Sequence, residues 1–444
     1  MTGGSHRHRP GPGLRGDWQA WRSDPVLLSV LAFVGLAGAA AVAGLVLLWP
    51  TGEGRDAAQE RADEIGLADQ RLAATVTEVA DRVCSYSAPE NPQACRTITV
   101  RVDEGPNAGT RVALPQFNLA DDRTPIRISP GDTVIVGYED SNDYYFFVDR
   151  DRRTPLVWLA GLFAVVVVAL GRLRGAMALV GMAATLVVLV AFVAPSVLDG
   201  NHPVLVAVVA AAVIAFVGLY VTHGLNVRTT VALAGTLASL GLTLGLSRVF
   251  FGLSRFTGLA TEEGMTLPLI ADVDLASLLL GGAIIGALGA LDDVTVTQVA
   301  TVAELRHHNP QLPRRELIAS GIRVGREHIA ATVNTLLLAY AGVGLPLVLL
   351  FAASDQSLAM VANSELIAVE IVRTLCGSLG LVAAVPVTTV LAALVKAGAG
   401  APEVGAPDPA GWTRPDGQLA AESADPAPAP RWADFAPDPG EREW

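Results

Sequence analysis

Two adjacent carboxylates, Asp292 and Asp293, end an apolar, glycine-rich run of the sequence, GGAIIGALGALDD. Acidic side chains within an apolar helix can bind a proton or a cation, so the pair could form a working site inside a membrane. The pair could equally mark the place where a helix leaves the membrane. Placing each carboxylate in hydrocarbon costs about 2.5 to 3.5 kcal/mol, and this cost falls if the side chains face the interior of a helix bundle.

Four more polar residues lie in or beside the apolar segments of the C-terminal half. Gln298 follows the aspartates in VTVTQVATVAEL, which has the pattern of an amphipathic helix at the inner membrane surface. Asn334 lies inside an apolar run, where such a residue usually hydrogen-bonds a neighbouring helix. Glu370 and Arg373 are three residues apart and can pair on one helix face. The candidate intramembrane or coupling residues are Asp292, Asp293, Gln298, Asn334, Glu370 and Arg373.

Motifs that are typical of enzymes are missing from the sequence. It contains no Walker loop, no G-x-S-x-G turn, no H-E-x-x-H and no cysteine pair at zinc spacing. His307 and His308 are adjacent on a basic segment, which is a poor geometry for binding a metal. We therefore expect no catalytic residues, no cofactor and no metal site.

The composition indicates a membrane protein. Hydrophobic residues make up 51% of the 444 residues, charged residues only 17%, and the mean hydropathy is +0.45. A helix needs about 20 apolar residues to cross the hydrocarbon core, and about eight runs approach that length. The runs are Val26–Trp49, Leu156–Leu170, Ala176–Ala194, Val204–Val221, Val227–Leu246, Leu275–Leu291, Ile329–Phe351 and one ending near Val395.

The arginine distribution predicts the orientation of these spans. If the N-terminus is cytoplasmic, alternating spans place Arg172, Arg174, Arg228 and the loop from Arg306 to Arg326 on the cytoplasmic side. Short cytoplasmic loops are enriched in positive charge, and the predicted outer loops carry few arginines. We therefore expect a multi-pass protein of the bacterial plasma membrane with both termini in the cytoplasm.

A long polar segment between the first and second runs predicts an outer β domain. Alternation in RTITVRV and a turn followed by a strand in ISPGDTVIVGYED, with TVTEV, TRVALP and YYFFVD, indicate about five short strands. A small barrel of the OB type would close such a set, and a plain sandwich is the alternative. An OB barrel can bind nucleic acid, but this segment has no basic stripe, so we expect no nucleic-acid partner.

Two of the three cysteines, Cys84 and Cys95, lie in this outer segment. In an oxidising exterior they could close a short loop with a disulfide worth about 2 to 3 kcal/mol. Two free thiols are the alternative.

The predicted organisation therefore has five parts. They are a cytoplasmic basic arm (1–25), a first transmembrane helix (26–49), an extracytoplasmic β domain (50–153), a transmembrane domain of about seven helices (154–396) and a disordered cytoplasmic tail (397–444), which is rich in Pro, Ala and acids.

Three long segments resemble the YibE/F-like family of bacterial multi-pass membrane proteins. They are GGAIIGALGALDDVTVTQ, REHIAATVNTLLLAYAGVGLPLVLLF and EIVRTLCGSLGLVAAVPVTT, and the resemblance extends from about Arg71 to Lys396. The family is defined without an assigned activity, so the resemblance supplies no site residues.

Two functions fit these observations. The first is a transporter or channel for a small solute or ion, with Asp292, Asp293, Gln298 and Asn334 near an inner-side cavity. The second is a non-enzymatic membrane sensor or scaffold that acts through its outer domain and cytoplasmic loop. The lipid bilayer is the expected partner in both cases, and the sequence identifies no protein partner.

Overall fold

The computed structural model describes residues 24–65, 70–88, 90–105, 107–119, 128–139, 143–353 and 356–395. The predicted disordered tail (397–444) and nearly all of the predicted basic arm (1–25) lie outside these residues.

Helices dominate the described chain, and one antiparallel sheet is inserted after the second helix. The helices are α1 (Pro25–Leu47), α2 (Glu53–Glu64), α3 (Arg153–Val188, continued by a π-helical turn, Leu189–Val193), α4 (Ala194–Leu198), α5 (Pro203–His223), α6 (Val227–Ser254), α7 (Glu262–Ile270), α8 (Leu275–His308), α9 (Arg314–Val343), α10 (Leu345–Ala353), α11 (Leu358–Asn363) and α12 (Glu365–Leu394). The strands are β1 (Gln70–Val83), β2 (Ala94–Val102), β3 (Arg111–Ala113), β4 (Phe117–Asn118), β5 (Thr133–Glu139) and β6 (Tyr144–Arg150).

Six helical segments of the described chain are long and apolar enough to cross a membrane. They are Pro25–Leu47, Arg153–Leu198, Pro203–His223, Val227–Ser254, Leu275–His308 and Glu365–Leu394. Large apolar side chains cover their outer surfaces: on α3, Leu156, Val157 and Trp158 are 59%, 70% and 76% exposed. A contiguous exposed apolar surface of this kind suits contact with lipid rather than water.

The expected number of about eight spans is not confirmed. The second and third predicted runs fall within the single segment Arg153–Leu198, although its backbone leaves the helical region at Arg172 (φ 53°, ψ −133°). The seventh predicted run, Ile329–Phe351, is divided between α9 and α10, and α9 begins with a charged stretch. Helix α9 is therefore not one of the six segments that are long and apolar enough to cross a membrane.

Three helices, α6, α8 and α12, pack against one another at the centre of the bundle. Small residues bring them close together. A Cβ atom at Gly380 of α12 would overlap the Thr243 hydroxyl of α6, and one at Gly235 of α6 would overlap Thr388 of α12. Such contacts between glycine and hydroxyl residues are typical of helices that associate within lipid.

The sheet has the strand order β3-β2-β1-β5-β6, with β4 also paired to β2, and all pairs are antiparallel. The five predicted strand segments lie in β1, β2, β3, β5 and β6. Closure into an OB-like barrel is not confirmed, because β3 and β6 lie at opposite edges and do not pair within the described residues. The 14-residue β1 forms the centre of this open sheet instead.

A disulfide bond joins Cys84 and Cys95 in the sheet, with the two Cα atoms 4.9 Å apart. Cys84 lies just after β1 and Cys95 lies in β2, the strand that pairs with it. The bond therefore ties the end of one hairpin. Cys376, which the sequence places in the last apolar run, is buried in α12 as a free thiol.

Two Thr-Gly turns connect long helices to the short helices α2 and α7. The Asp199 carboxylate accepts hydrogen bonds from Thr51 Oγ1 (2.9 Å) and from the amide of Gly54 (2.9 Å). The Glu365 carboxylate accepts corresponding bonds from Thr257 Oγ1 (2.9 Å) and the Thr257 amide (2.8 Å). In each case an acidic side chain distant in sequence fixes the turn that leads into a short helix.

Candidate functional site

Helix α8, which carries both aspartates, does not end at them. It spans 34 residues, Leu275–His308, and is therefore about 51 Å long. Asp292 and Asp293 lie at its middle, and the following turns remain buried, with Thr295 at 0% and Gln298 at 3% exposure. Helix α8 therefore carries one aspartate that is partly buried in the bundle, Asp292, and one that is exposed, Asp293.

An open cleft of about 700 Å³ lies between α3, α5 and α8, and both aspartates line it. We call it the acidic cleft. Gly181 of α3 lies next to Thr222 of α5 here, because a Cβ atom added at this position would be in van der Waals contact with Thr222 Oγ1 (3.5 Å). The polar side chains that line the cleft are Thr185, Thr222, His223, Asp292, Asp293 and Thr297.

Asp292 lies between the acidic cleft and the centre of the bundle. Asp293 is exposed, whereas Asp292 is partly buried and its Oδ1 atom is buried without a hydrogen-bond partner. The Thr236 side chain of α6 interacts with the Asp292 carboxyl group. Thr236 also shares a hydrogen bond with Thr295 of α8, with 2.7 Å between the two hydroxyl oxygens.

Buried hydroxyl groups extend from this point along the contact between α6, α8 and α12. We call them the hydroxyl cluster, and its members are Thr236, Ser239, Thr243, Ser247, Thr295, Ser378, Thr388 and Thr389. Four of them, Ser239, Ser247, Ser378 and Thr388, have hydroxyl oxygens without a hydrogen-bond partner. Buried polar atoms are usually bonded, so these hydroxyl groups can still form a hydrogen bond or coordinate a cation.

Gln298 links three helices rather than lining the cleft. Its Nε2 donates to the carbonyl oxygen of Gly321 in α9 (2.8 Å) and to Thr389 Oγ1 in α12 (2.7 Å). Gly325 allows this contact, because a Cβ atom there would lie 2.9 Å from Gln298 Oε1. The amide group therefore fixes the positions of α8, α9 and α12 one to two turns beyond the aspartates.

The remaining candidate residues lie apart from the acidic cleft. Asn334 is exposed on α9, whereas its neighbours Val333 and Leu336 pack against the core of the bundle. Arg373 donates to Glu370 (2.9 Å) within α12, as their spacing predicts. The Arg373 guanidinium also lies near Gly282 of α8. The structure therefore brings Asp292 and Asp293 together with residues of α3, α5 and α6, and not with Asn334 or the Glu370–Arg373 pair.

The hydroxyl cluster is not among the residues predicted from the sequence, although the sequence contains a signal for it. Thr236, Ser239, Thr243 and Ser247 follow one another at spacings of three or four, which places them on one face of α6. No local pattern in the sequence predicts the acidic cleft, because the cleft forms only when α3 and α5 pack beside α8. Within the described residues, no group of three His, Cys, Asp or Glu side chains could hold a metal ion.

The long apolar helices with exposed apolar side chains define a helical membrane protein, and an antiparallel sheet is inserted between its first helices. Within this class, the sequence model of the YibE/F-like protein family matches residues 159–398, which is more than half of the chain. The chain therefore belongs to the YibE/F-like family, and the resemblance drawn from its motifs is confirmed. The match includes the acidic cleft and the hydroxyl cluster but not the sheet. No curated protein and no solved structure matches the chain.

Proposed function

We propose that this protein is a plasma-membrane transporter for a small solute or ion, not an enzyme, and that Asp292 is its coupling residue. One observation carries the proposal. Asp292 lies where the open acidic cleft meets the buried hydroxyl cluster, and one of its carboxyl oxygens has no hydrogen-bond partner.

The energetic cost of this position supports a functional role. A carboxylate in the middle of a membrane helix costs about 2.5 to 3.5 kcal/mol on insertion scales. Among the described residues, no ion pair with Asp292 offsets this cost. Its polar neighbours are hydroxyl groups such as Thr236, which can accept or donate a hydrogen bond as the carboxyl group gains or loses a proton or cation.

The hydroxyl cluster supports a route beyond Asp292. Ser239 and Thr243 follow Thr236 on the same face of α6, and Ser378 and Thr388 lie on α12, which packs against it. Successive hydroxyl groups about one helical turn apart can relay a proton or replace water around a cation. Asp293 and His223, which line the acidic cleft, would then attract and orient the solute at its entrance.

An arrangement of about eight spans with both termini in the cytoplasm belongs to the same proposal. The backbone break at Arg172 supports a division of the long α3 segment into two spans. The later turns of α9 together with α10 would supply a further span. Arg172, Arg174 and Arg228 would then lie on the cytoplasmic side, in keeping with the positive-inside rule.

A membrane sensor or scaffold is the second candidate function, and one observation favours it. Helix α2, which immediately precedes the sheet, contacts α4 and α7, and Arg61 of α2 donates to the carbonyl oxygen of Ile270 in α7 (3.2 Å). A ligand bound to the sheet could act on the bundle through this contact. The sensor would not need Asp292 for ion movement.

Flux measurements on reconstituted protein test the transporter. The purified full-length chain is placed in vesicles containing a pH-sensitive dye, and a proton or sodium gradient is imposed with and without a mixture of amino acids, sugars and inorganic ions outside. We expect wild-type protein to accelerate proton or cation flux and Asp292→Asn to reduce the flux to that of empty vesicles.

Asp272→Asn is the matched control, because Asp272 is an exposed acid in the loop before α8. It should keep the wild-type flux, and both variants should reconstitute at wild-type level. Equal flux by the wild type and Asp292→Asn would reject Asp292 as the coupling residue. Flux no greater than in empty vesicles for the wild type, with every gradient and solute, would favour the sensor.

A further inference from the structure

A second cleft, of about 250 Å³, opens where α3, α5, α6 and α8 meet near the break in α3. We call it the basic cleft. Its lining residues are Arg174, His223, Asn226, Arg228, Thr229, Ala232, Val296, Val299 and Ala300. We propose that the basic cleft binds the phosphate group of an anionic ligand. This inference does not rest on the proposed transport function, although His223 lines both clefts.

Three basic side chains from three different helices converge on this cleft. Arg174 comes from α3 just after the break at Arg172, His223 from the last turn of α5, and Arg228 from the first turn of α6. No acidic side chain is among the lining residues. Arg174 and Arg228 form no hydrogen bond or ion pair with the described part of the chain, so both guanidinium groups are available to a ligand. Guanidinium groups bind phosphate oxygens in a bidentate manner.

Backbone groups add donors at the same place. The Thr229 amide donates a hydrogen bond to the side chain of Asn226, the N-cap residue of α6 (2.9 Å). The first hydrogen bond of the helix backbone runs from the Thr230 amide to the Asn226 carbonyl oxygen (3.0 Å). The amides of Val227 and Arg228 precede that bond and have no acceptor within the helix. These amides form the positive end of the helix dipole, which adds to the attraction that the arginines exert on an anion.

The remaining wall indicates what else the ligand carries. Ala232, Val296, Val299 and Ala300 make one side of the cleft apolar. A volume of 250 Å³ is below the range of about 300 to 1,000 Å³ for drug-sized ligands, so it suits a head group or a small anion. The phosphate could therefore belong to a phospholipid, with its acyl chains beyond the apolar wall, or to a free anion in solution. Both sources offer the same chemistry to the arginines.

Lipid retention by the full-length protein tests the phospholipid source. The protein is reconstituted into nanodiscs of phosphatidylcholine alone or mixed with phosphatidylglycerol, extracted, and analysed by native mass spectrometry. We expect the wild type to retain phosphatidylglycerol preferentially. The double variant Arg174→Gln/Arg228→Gln should bind it about 25-fold more weakly, because each arginine near an anionic surface contributes roughly fivefold. Arg248→Gln, an exposed arginine near the opposite end of α6, is the matched control and should bind like the wild type.

Inorganic phosphate tests the other source. In phosphatidylcholine nanodiscs, phosphate should raise the melting temperature of the wild type and of Arg248→Gln but not of the double variant if the ligand is a free anion. Lipid retention that depends on Arg174 and Arg228 supports a phospholipid ligand. Phosphate stabilisation that depends on the same arginines supports a free anion. If the wild type shows neither lipid preference nor phosphate stabilisation, the proposal is wrong, even where the double variant fails to fold. Signals that persist unchanged in a folded double variant also overturn it.

Discussion

Large branched side chains fill the core of the sheet, whereas glycines and hydroxyl residues fill the centre of the helix bundle. Ile98, Val100 and Val136 in the sheet are at most 1% exposed. In the bundle, Gly380 of α12 packs directly on Thr243 of α6. The sheet gains free energy by removing apolar surface from water. Helices in lipid gain little in that way, so close approach and hydrogen bonds must hold them together.

The largest expected effect is the loss of a branched side chain from the sheet. Ile98→Ala should destabilise the sheet by about 2 to 5 kcal/mol, because it removes transfer free energy and leaves a cavity in the core of the sheet. Hydrogen exchange of the sheet amides in the full-length chain, followed by mass spectrometry, measures the change.

Val83→Ala serves as the control, because Val83 lies in the same sheet but is 63% exposed. Its sheet amides should exchange at nearly the wild-type rate. Similar exchange for the two variants would mean that burial does not stabilise this sheet, and the contrast between the two regions would fail.

A smaller effect is expected from enlarging a residue in the bundle. Gly380→Val should destabilise the contact between α6 and α12 by about 1 to 3 kcal/mol, since the added side chain overlaps the Thr243 hydroxyl. Thermal unfolding of detergent-purified protein measures this change. Gly241→Val on α6 is the control, because no heavy atom lies within 4 Å of a Cβ atom there. A melting temperature for Gly380→Val equal to that of Gly241→Val would show that close approach is not needed.

This contrast also explains which parts of the fold the sequence predicts. Alternation of apolar and polar residues depends only on the local chain, so RTITVRV and ISPGDTVIVGYED correctly predict strands β2 and β5. Apolar runs likewise predict most of the long helices. Strand order and the open edges of the sheet depend on contacts between distant segments, which explains why the expected barrel is not confirmed.

The candidate site follows the same rule. Asp292 and Asp293 are identifiable as carboxylates in an apolar run, and Glu370 and Arg373 pair as their spacing predicts. The position of Asp292 beside Thr236 depends on how α6 packs against α8, which no local pattern encodes. Asn334 has the same kind of sequence environment but lies exposed on α9, because Val333 and Leu336 are the side chains of this part of α9 that pack against the bundle. Residue type therefore predicts which side chains can bind a proton or a cation, and helix packing decides which of these side chains lie close together.

The sheet and the bundle are joined by a turn that neither packing rule explains. Asp199, between α4 and α5, accepts hydrogen bonds from Thr51 Oγ1 and from the amides of Gly52 (3.1 Å) and Gly54, just before α2. Burial raises the pKa of the Asp199 carboxyl group, but the hydrogen bonds from Thr51, Gly52 and Gly54 outweigh this effect. The net pKa lies below its ordinary value of 3.8.

The smallest expected effect is a pH-dependent loosening of this turn. Because the pKa of Asp199 is lower in the folded protein, its stabilisation is present above pH 3.8 and is lost as the pH falls below that value through the folded pKa. Hydrogen exchange of the segment that contains Thr51 and α2, corrected for the intrinsic pH dependence of exchange, should therefore accelerate severalfold below pH 3.8 in the wild type. In Asp199→Asn the segment should exchange faster than in the wild type at neutral pH, because the charged acceptor is gone, and should show no further change below pH 3.8. Asp272→Asn, an exposed acid outside this turn, should retain the wild-type pH dependence. If Asp199→Asn shows the same acceleration as the wild type, another group holds the turn, and the connection between the sheet and the bundle does not depend on this carboxylate.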